Sequence, residues 1–171
     1  MSVDPTTREL TPDDREKAVE VINSAAAWYA EFLPPEETSG PEMTAAEWDR
    51  EAQRMTWYGA FAGDELVGVV GAEYVADVAL LRHAYVLPHW QRQGVGAMLG
   101  QYAESLITGV DRVIVGTYAA NYKARRALEQ GGYQLSRDSE AVLRAYYDIP
   151  EDRLKSSLTY EKHLDIDRSP G

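Results

Sequence analysis

Apolar residues recur along this chain in two rhythms. Ala18, Val21, Ile22, Ala25 and Ala26 fall three and four apart, the spacing of one buried helix face. Thr11-Pro12-Asp13-Asp14 supplies the start: a capping hydroxyl, a proline suited to the first helical position, and acids that match the helix dipole. This helix is expected to run toward Phe32 and stop at Pro34-Pro35, before a turn-rich loop, EETSGPE. Thr44-Ala45-Ala46-Glu47 has the form of a capping box and predicts a second helix over 45 to about 55. From Trp57 the rhythm shortens. Residues 57–62, a turn at Gly63-Asp64 and residues 66–74 read as a β-hairpin, and residues 78–87 as a third strand after a turn near Ala76-Asp77. A helix from 94 to about 107 follows, with Val95, Met98, Leu99, Tyr102, Ala103 and Leu106 on one stripe. Residues 111–118 form an apolar strand, 121–130 a basic helix ended by Gly131-Gly132, and 133–136 the start of another strand. Residues 139–147 read as helix and 156–163 as a final strand, with a frayed tail over 165–171. The order predicts one mixed α/β domain over 1–171, without repeat or linker.

Composition narrows the classes open to such a domain. At 171 residues and 44% hydrophobic content, the chain can bury an ordinary core. It has no apolar run long enough to span a bilayer, and its first residues lack a signal-peptide pattern. The absence of cysteine excludes disulfides, thiolate zinc sites and a cysteine nucleophile. A cytoplasmic location and no metal site are therefore expected. The net charge of −11, from 17 basic and 28 acidic residues, argues against nucleic-acid binding and would attract a cationic amine.

The most specific chemistry lies in YVLPHWQRQGVGAML, residues 85–99. A strand, a glycine-containing loop and a helix start come in that order, which makes an anion site from backbone alone. Gly94 and Gly96 lack a Cβ, so a pyrophosphate can approach the main chain, and Arg92 adds positive charge beside it. The spacing does not fit a Rossmann loop, which needs a third glycine, or a P-loop, which needs Gly-Lys-Ser/Thr.

These residues resemble the GNAT superfamily of N-acetyltransferases. Val86-Leu87-Pro88 and Gln91 to Gly96 match its cofactor motif without gaps, and Asn121-x-x-Ala124 closing at Gly132-Tyr133 matches a second motif downstream. The resemblance implies a mostly antiparallel central sheet flanked by helices and splayed between two central strands. It implies that Gln91, Arg92, Gln93, Gly94, Val95, Gly96 and Ala97 hold the pyrophosphate of acetyl-CoA, with no metal. The pantetheine arm would pair with Tyr85 and Val86 like an added strand. A backbone N–H near Val86 would stabilise the oxyanion. Asn121 and Ala124 would flank the pantetheine, although Asn121 can equally be a helix cap.

The implied activity is direct attack of a primary amine, from a small molecule or peptide, on the thioester. Such an amine must first lose a proton, and the leaving thiolate must gain one. The family's frequent acid, a tyrosine in the helix after the asparagine, is replaced here by Leu128. Tyr118 takes its place as the candidate, with Tyr122 nearby. The frequent base positions are Leu80 and Arg82, neither of which accepts a proton at neutral pH. Strand alternation turns His83 to the opposite face. Glu73 and Asp77, near the end of the hairpin, are therefore the candidate bases acting through water, or else exposed strand-end carboxylates. The first two helices carry Trp28, Tyr29, Phe32, Trp48, Trp57 and Tyr58 with Glu31, Glu36, Glu37, Glu42 and Glu47, either as core and solvated face or as a pocket for a cationic amine. An acyl-CoA-binding sensor without activity, and a transferase of another acyl group, are the alternatives. Family members often pair as homodimers, so a second copy of the chain is a candidate partner.

Overall fold

A computed structural model of the chain describes residues 4–38 and 40–164, leaving out the side chains of Glu36 and Glu37. The tail over 165–171, expected to fray, lies outside the described residues. The elements run β1 (Thr6–Glu9), α1 (Arg15–Ala26), α2 (Pro35–Thr38), α3 (Ala45–Glu51), β2 (Met55–Ala62), β3 (Glu65–Val75) and β4 (Val78–Val86). They continue with α4 (Val95–Leu106), β5 (Arg112–Tyr118), α5 (Tyr122–Gln130), β6 (Gln134–Leu135), α6 (Ser139–Tyr146), α7 (Glu151–Leu154) and β7 (Ser157–His163). The fold is mixed α/β, with seven strands ordered β1-β2-β3-β4-β5-β7-β6 in a mostly antiparallel sheet accompanied by helices. The pairing of β4 with β5 is parallel. None of the described helices is long and apolar enough to cross a membrane. The chain forms two compact units, residues 4–73 with 83–106 and residues 74–82 with 107–164.

In the first unit, β2 lies between β1 and β3, antiparallel to both. Alternation along β2 serves two layers. Trp57 joins Val21, Ile22 and Trp48 in the core under α1 and α3, while Tyr58 meets Tyr102 of α4 edge-on at 5.4 Å. Gly68 lets α4 approach the sheet. A Cβ there would stand 2.9 Å from Leu99 Cδ1 and 3.1 Å from Val95 Cγ1, inside contact distance. β1 has no counterpart in the hydrophobic pattern, because Thr6–Glu9 buries no side chain fully. It is held from outside that pattern: Arg8 makes two hydrogen bonds to Asp14, at 2.9 and 3.0 Å, and its guanidinium lies 4.1 Å from the centre of the Phe61 ring. The Arg8 partnership holds the buried Asp14 carboxyl down at about 2, and a bond from the Thr11 N–H adds to it.

Three local expectations need correction. The first helix ends as an α-helix at Ala26 and continues as a 3-10 turn over Ala27–Glu31, so it tightens before the prolines are reached. Pro35–Thr38 forms a short helix inside the supposed loop, since proline suits a first helical turn. The helix begun at Thr44 stops at Glu51, not near 55, because Met55 already belongs to β2. Its cap is as expected, with Thr44 Oγ1 accepting from the Glu47 N–H at 3.2 Å.

In the second unit, Val78, Leu80 and Ile114 form a core with Tyr146 and Tyr147 of the α6 end against it. The β4–β5 ladder holds the pairs Ala79↔Val113, Leu80↔Ile114 and Leu81↔Val115. β5 goes on to Tyr118 in register with β7. β7 in turn pairs with β6. A polar chain runs through this unit. Thr159 donates to Ser136 at 2.8 Å, Ser136 to Glu161 at 2.6 Å, and Arg112 to the same carboxylate at 3.2 Å.

Candidate active site

The loop after β4 is built by three restraints. The Leu87 N–H donates to Val67 O at 2.9 Å and anchors the strand end to β3. Pro88 then starts a 3-10 turn, and the Gln91 side-chain amide donates back to Val86 O at 3.0 Å. The backbone next turns left-handed at Arg92 (φ +64°) and again at Gly94 (φ +83°). Arginine adopts that region at a cost, a strain that clusters where a ligand is clamped. Gln93 steadies the turn by donating to His89 O at 3.0 Å.

Beyond the turn α4 begins, its first helical bond running from the Met98 N–H to Gly94 O at 3.0 Å. The N–H groups of Val95, Gly96 and Ala97 therefore precede the intrahelical ladder and carry the positive end of the helix dipole. Val95 is buried and pins this end, while Arg92, Gln93, Gly94, Gly96 and Ala97 are exposed. A Cβ at Gly94 would meet nothing within 4 Å, and one at Gly96 only Val86 Cγ2 at 3.8 Å. The space above both glycines is thus open to a ligand and not occupied by protein packing. A pyrophosphate fits this cradle: exposed donors, a cation, and no side chain over the main chain.

One residue upstream of Val86, Tyr85 connects the loop with a cavity. Tyr29 donates to the Tyr85 hydroxyl at 3.3 Å, and Tyr85 donates to Glu42 Oε1 at 3.3 Å. Burial, with Tyr29 and Glu42 beside it, raises the Tyr85 phenol well above its ordinary range, so it stays a donor. Tyr29 and Glu42 also line a cavity of about 330 Å³, together with Asn23, Ala26 and Thr38. Trp28 and Phe32 meet edge-on at 4.8 Å, and Phe32 meets Tyr29 at 5.4 Å, a half-exposed aromatic cluster on the 3-10 turn. The aromatic residues of this region therefore divide. Trp48 and Trp57 are core at 2% exposure, Tyr58 packs on α4, and Glu47 serves the Thr44 cap.

A second polar corner of this unit has no trace in the sequence. His83, inside β4, has φ +54°. Its ring lies against Trp57 at 5.5 Å, and Trp57 stacks on Trp48 at 5.4 Å. His83 Nε2 lies 2.9 Å from Glu51 Oε2. Arg54 bridges Glu51 at 3.6 Å and Glu73 at 3.4 Å. Glu73, read as a strand-end carboxylate or a proton relay, is thus one end of a Glu73–Arg54–Glu51–His83 chain. Glu51 and Arg54 were missed because they lie about thirty residues from His83, and no local spacing reports such a pair.

The remaining candidates belong to the other unit. Asn121 is buried, and its Oδ1 accepts from the Ala124 N–H at 3.1 Å, the cap of α5. Tyr118 is half-buried at the end of β5, its carbonyl accepting from the Asn121 N–H at 3.0 Å. Asp77 is exposed at the hairpin turn and accepts from the Tyr146 hydroxyl at 3.0 Å.

The family model described as the acetyltransferase (GNAT) family matches residues 22–133, and the chain belongs to that family. A comparison with curated protein sequences finds no match. Among solved structures, the PaiA N-acetyltransferase of Thermoplasma acidophilum, in complex with coenzyme A, superimposes with a TM-score of 0.73 at 20% identity, over 94% of this chain and 99% of that one. An acetyltransferase of Thermus thermophilus gives 0.71 at 20%, over 96% and 100%. The ribosomal-protein-S18-alanine N-acetyltransferase of Escherichia coli gives 0.69 at 17%, over 95% of each. At these identities the likeness is one of fold.

Proposed function

We propose that this chain is an acetyl-CoA-dependent N-acetyltransferase that acetylates a primary amine of a small molecule or peptide by direct attack. The observation that carries the reading is the loop over 91–96, which turns left-handed twice and leaves its glycines open above the start of α4. The coenzyme A complex of the Thermoplasma acidophilum relative supports it. Bound acetyl-CoA supplies the thioester whose acetyl group is transferred.

The residues of the chain do the rest. Gln91, Arg92, Gln93, Gly94, Val95, Gly96 and Ala97 hold the pyrophosphate, the last three through backbone donors at the positive end of α4. Tyr85 and Val86 offer backbone to the pantetheine, and a main-chain N–H near Val86 meets the charge that develops on the carbonyl oxygen. Of the two roles open to Asn121, the cap of α5 is the one adopted here, with Ala124 as the donor it accepts from. An ammonium ion has no lone pair, so the acceptor must give up a proton before attack. Glu73 and Asp77, acting through water, and His83 beside Glu51 are the groups proposed for that task, and Tyr118 is the proposed proton donor to the departing thiolate. Glu42 and the aromatic cluster beside the cavity suit a cationic amine, through charge and ring faces.

The test is thiol release from acetyl-CoA with pools of polyamines, amino acids, aminoglycosides and basic peptides, each at several pH values. Release with one pool identifies the acceptor class. Silence with every pool, while calorimetry records acetyl-CoA binding, replaces the reading with that of an acyl-CoA sensor. Faster release from longer acyl-CoA donors would change the acyl group assigned.

A further inference from the structure

The corner at His83 has the attributes of a built proton acceptor. A carboxylate only accepts hydrogen bonds, so the contact to Glu51 Oε2 at 2.9 Å places the proton of neutral His83 on Nε2 and its lone pair on Nδ1. The ring plane is fixed by stacking on Trp57, at 5.5 Å and 29° between planes. Behind it Trp57 stacks on Trp48 at 11°, and the indole N–H groups of both tryptophans are buried without an acceptor. Buried donors of this kind are costly to leave unpaired. The ring is thus held between the Glu51 carboxylate at one edge and the face of Trp57. The left-handed backbone at His83 (φ +54°) is a strained conformation for a ring-bearing residue, held by these contacts. The ring is still reachable, at 20% side-chain exposure, against 16% for Glu51.

Its position suits an incoming amine. His83 and Tyr85 are two residues apart on one face of β4, the face toward α1 and α3, and Tyr85 links directly to the wall of the 330 Å³ cavity. With the thioester carbonyl proposed at Val86, His83 would stand three residues back along the same strand. Glu51 from α3 meets His83 directly, and Arg54 beyond its end joins Glu51 to Glu73 of β3.

The geometry points to His83 as the general base of acetyl transfer, with Glu51 as its positioning residue. The inference rests on the acetyltransferase reading and names the group that reading leaves open. The ammonium first gives one proton to His83 Nδ1, and the free amine then attacks, forming the C–N bond as the C–S bond breaks. The thiolate takes a proton from Tyr118, the second nitrogen proton replaces the one Tyr118 gave, and His83 returns its proton to solvent.

The test uses the full chain and the amine found by thiol release. His83→Gln should lower kcat about 100-fold at neutral pH, leave acetyl-CoA affinity within twofold, and lose the acidic limb of the rate profile. At pH 10, where free amine is abundant, the deficit should shrink below tenfold. Because glutamine also strains at a positive φ, His83→Gly provides a second variant that the backbone accepts. Free imidazole should restore its rate, saturably, without affecting the wild type. Glu51→Ala should lower kcat and leave the KM for acetyl-CoA unchanged, since the ring loses the acceptor that fixes its tautomer. Wild-type rates and an intact limb in both His83 variants would overturn the assignment of the base alone. So would a loss that neither pH nor imidazole relieves. A wild-type chain that binds acetyl-CoA but acetylates nothing would instead remove the acetyltransferase reading as well.

Discussion

At residues 91–96 the backbone turns left-handed at Arg92 and Gly94, and the first N–H groups of α4 emerge at an exposed surface. At residues 121–124 the first turn of α5 is met by the protein itself, Asn121 Oδ1 accepting from Ala124 at 3.1 Å. Both stretches belong to one family pattern, and both are helix starts with orphan donors. The difference lies in who satisfies them. An open helix start with glycine above it is arranged for an anion from outside. A capped one has already used its side-chain oxygen on itself, so its weight falls on holding α5 in place.

The comparison breaks most sharply at Gly96. Gly96→Glu puts a negative charge into the open cradle without meeting any packed atom, since the only neighbour of its Cβ is Val86 Cγ2 at 3.8 Å. Acetyl-CoA affinity should fall more than about 100-fold, with the melting temperature little changed; calorimetry and thermal unfolding on the same sample check both. Tyr118→Phe separates proton donation from structure. Loss of the donor should lower kcat about 100-fold with an unchanged KM for acetyl-CoA, whereas equal kcat in steady-state assays would withdraw the role. Asn121→Ala probes the closed motif. It should cost about 1 kcal/mol of stability through the lost cap and leave acetyl-CoA affinity within threefold. An affinity loss larger than the stability loss explains would return Asn121 to the pantetheine.

The smallest effect concerns β1. Asp14 is held at about 2, below its unfolded value near 3.8, by Arg8. A carboxyl lowered in this way stabilises the fold above pH 4 and stops doing so as pH falls from about 4 to about 2. The contribution is about 1–2 kcal/mol after allowing for the half-exposed Arg8. Denaturant unfolding across that window should reveal it, and Arg8→Ala should flatten it.

Much of the architecture was legible because it is local. The hairpin of β2 and β3, the apolar stripe of α4 and the side-chain cap at Thr44 each follow from a few neighbouring residues. The loop over 91–96 was legible for the same reason: an anion site made of backbone needs only glycines in the right order before a helix. β1 was silent because an edge strand with mostly exposed side chains carries no alternation, and what fixes it is a charge pair to Asp14. The aromatic residues of the first helices could not be sorted by spacing. Trp48 and Trp57 went to the core and Tyr29 to a cavity wall, because burial depends on what stands opposite.

The chain by itself determined the family and the order of most elements, and it pointed to the glycine loop over 91–96, all of which are encoded over spans of about ten residues. Only the tertiary structure decided which side chains became partners. Glu51 met His83 across thirty-two positions of sequence at 2.9 Å, and Arg54 joined Glu51 to Glu73. The physical reason is range: periodicity and capping act along the chain, whereas hydrogen bonds and charge pairs act through space, over distances that only folding sets.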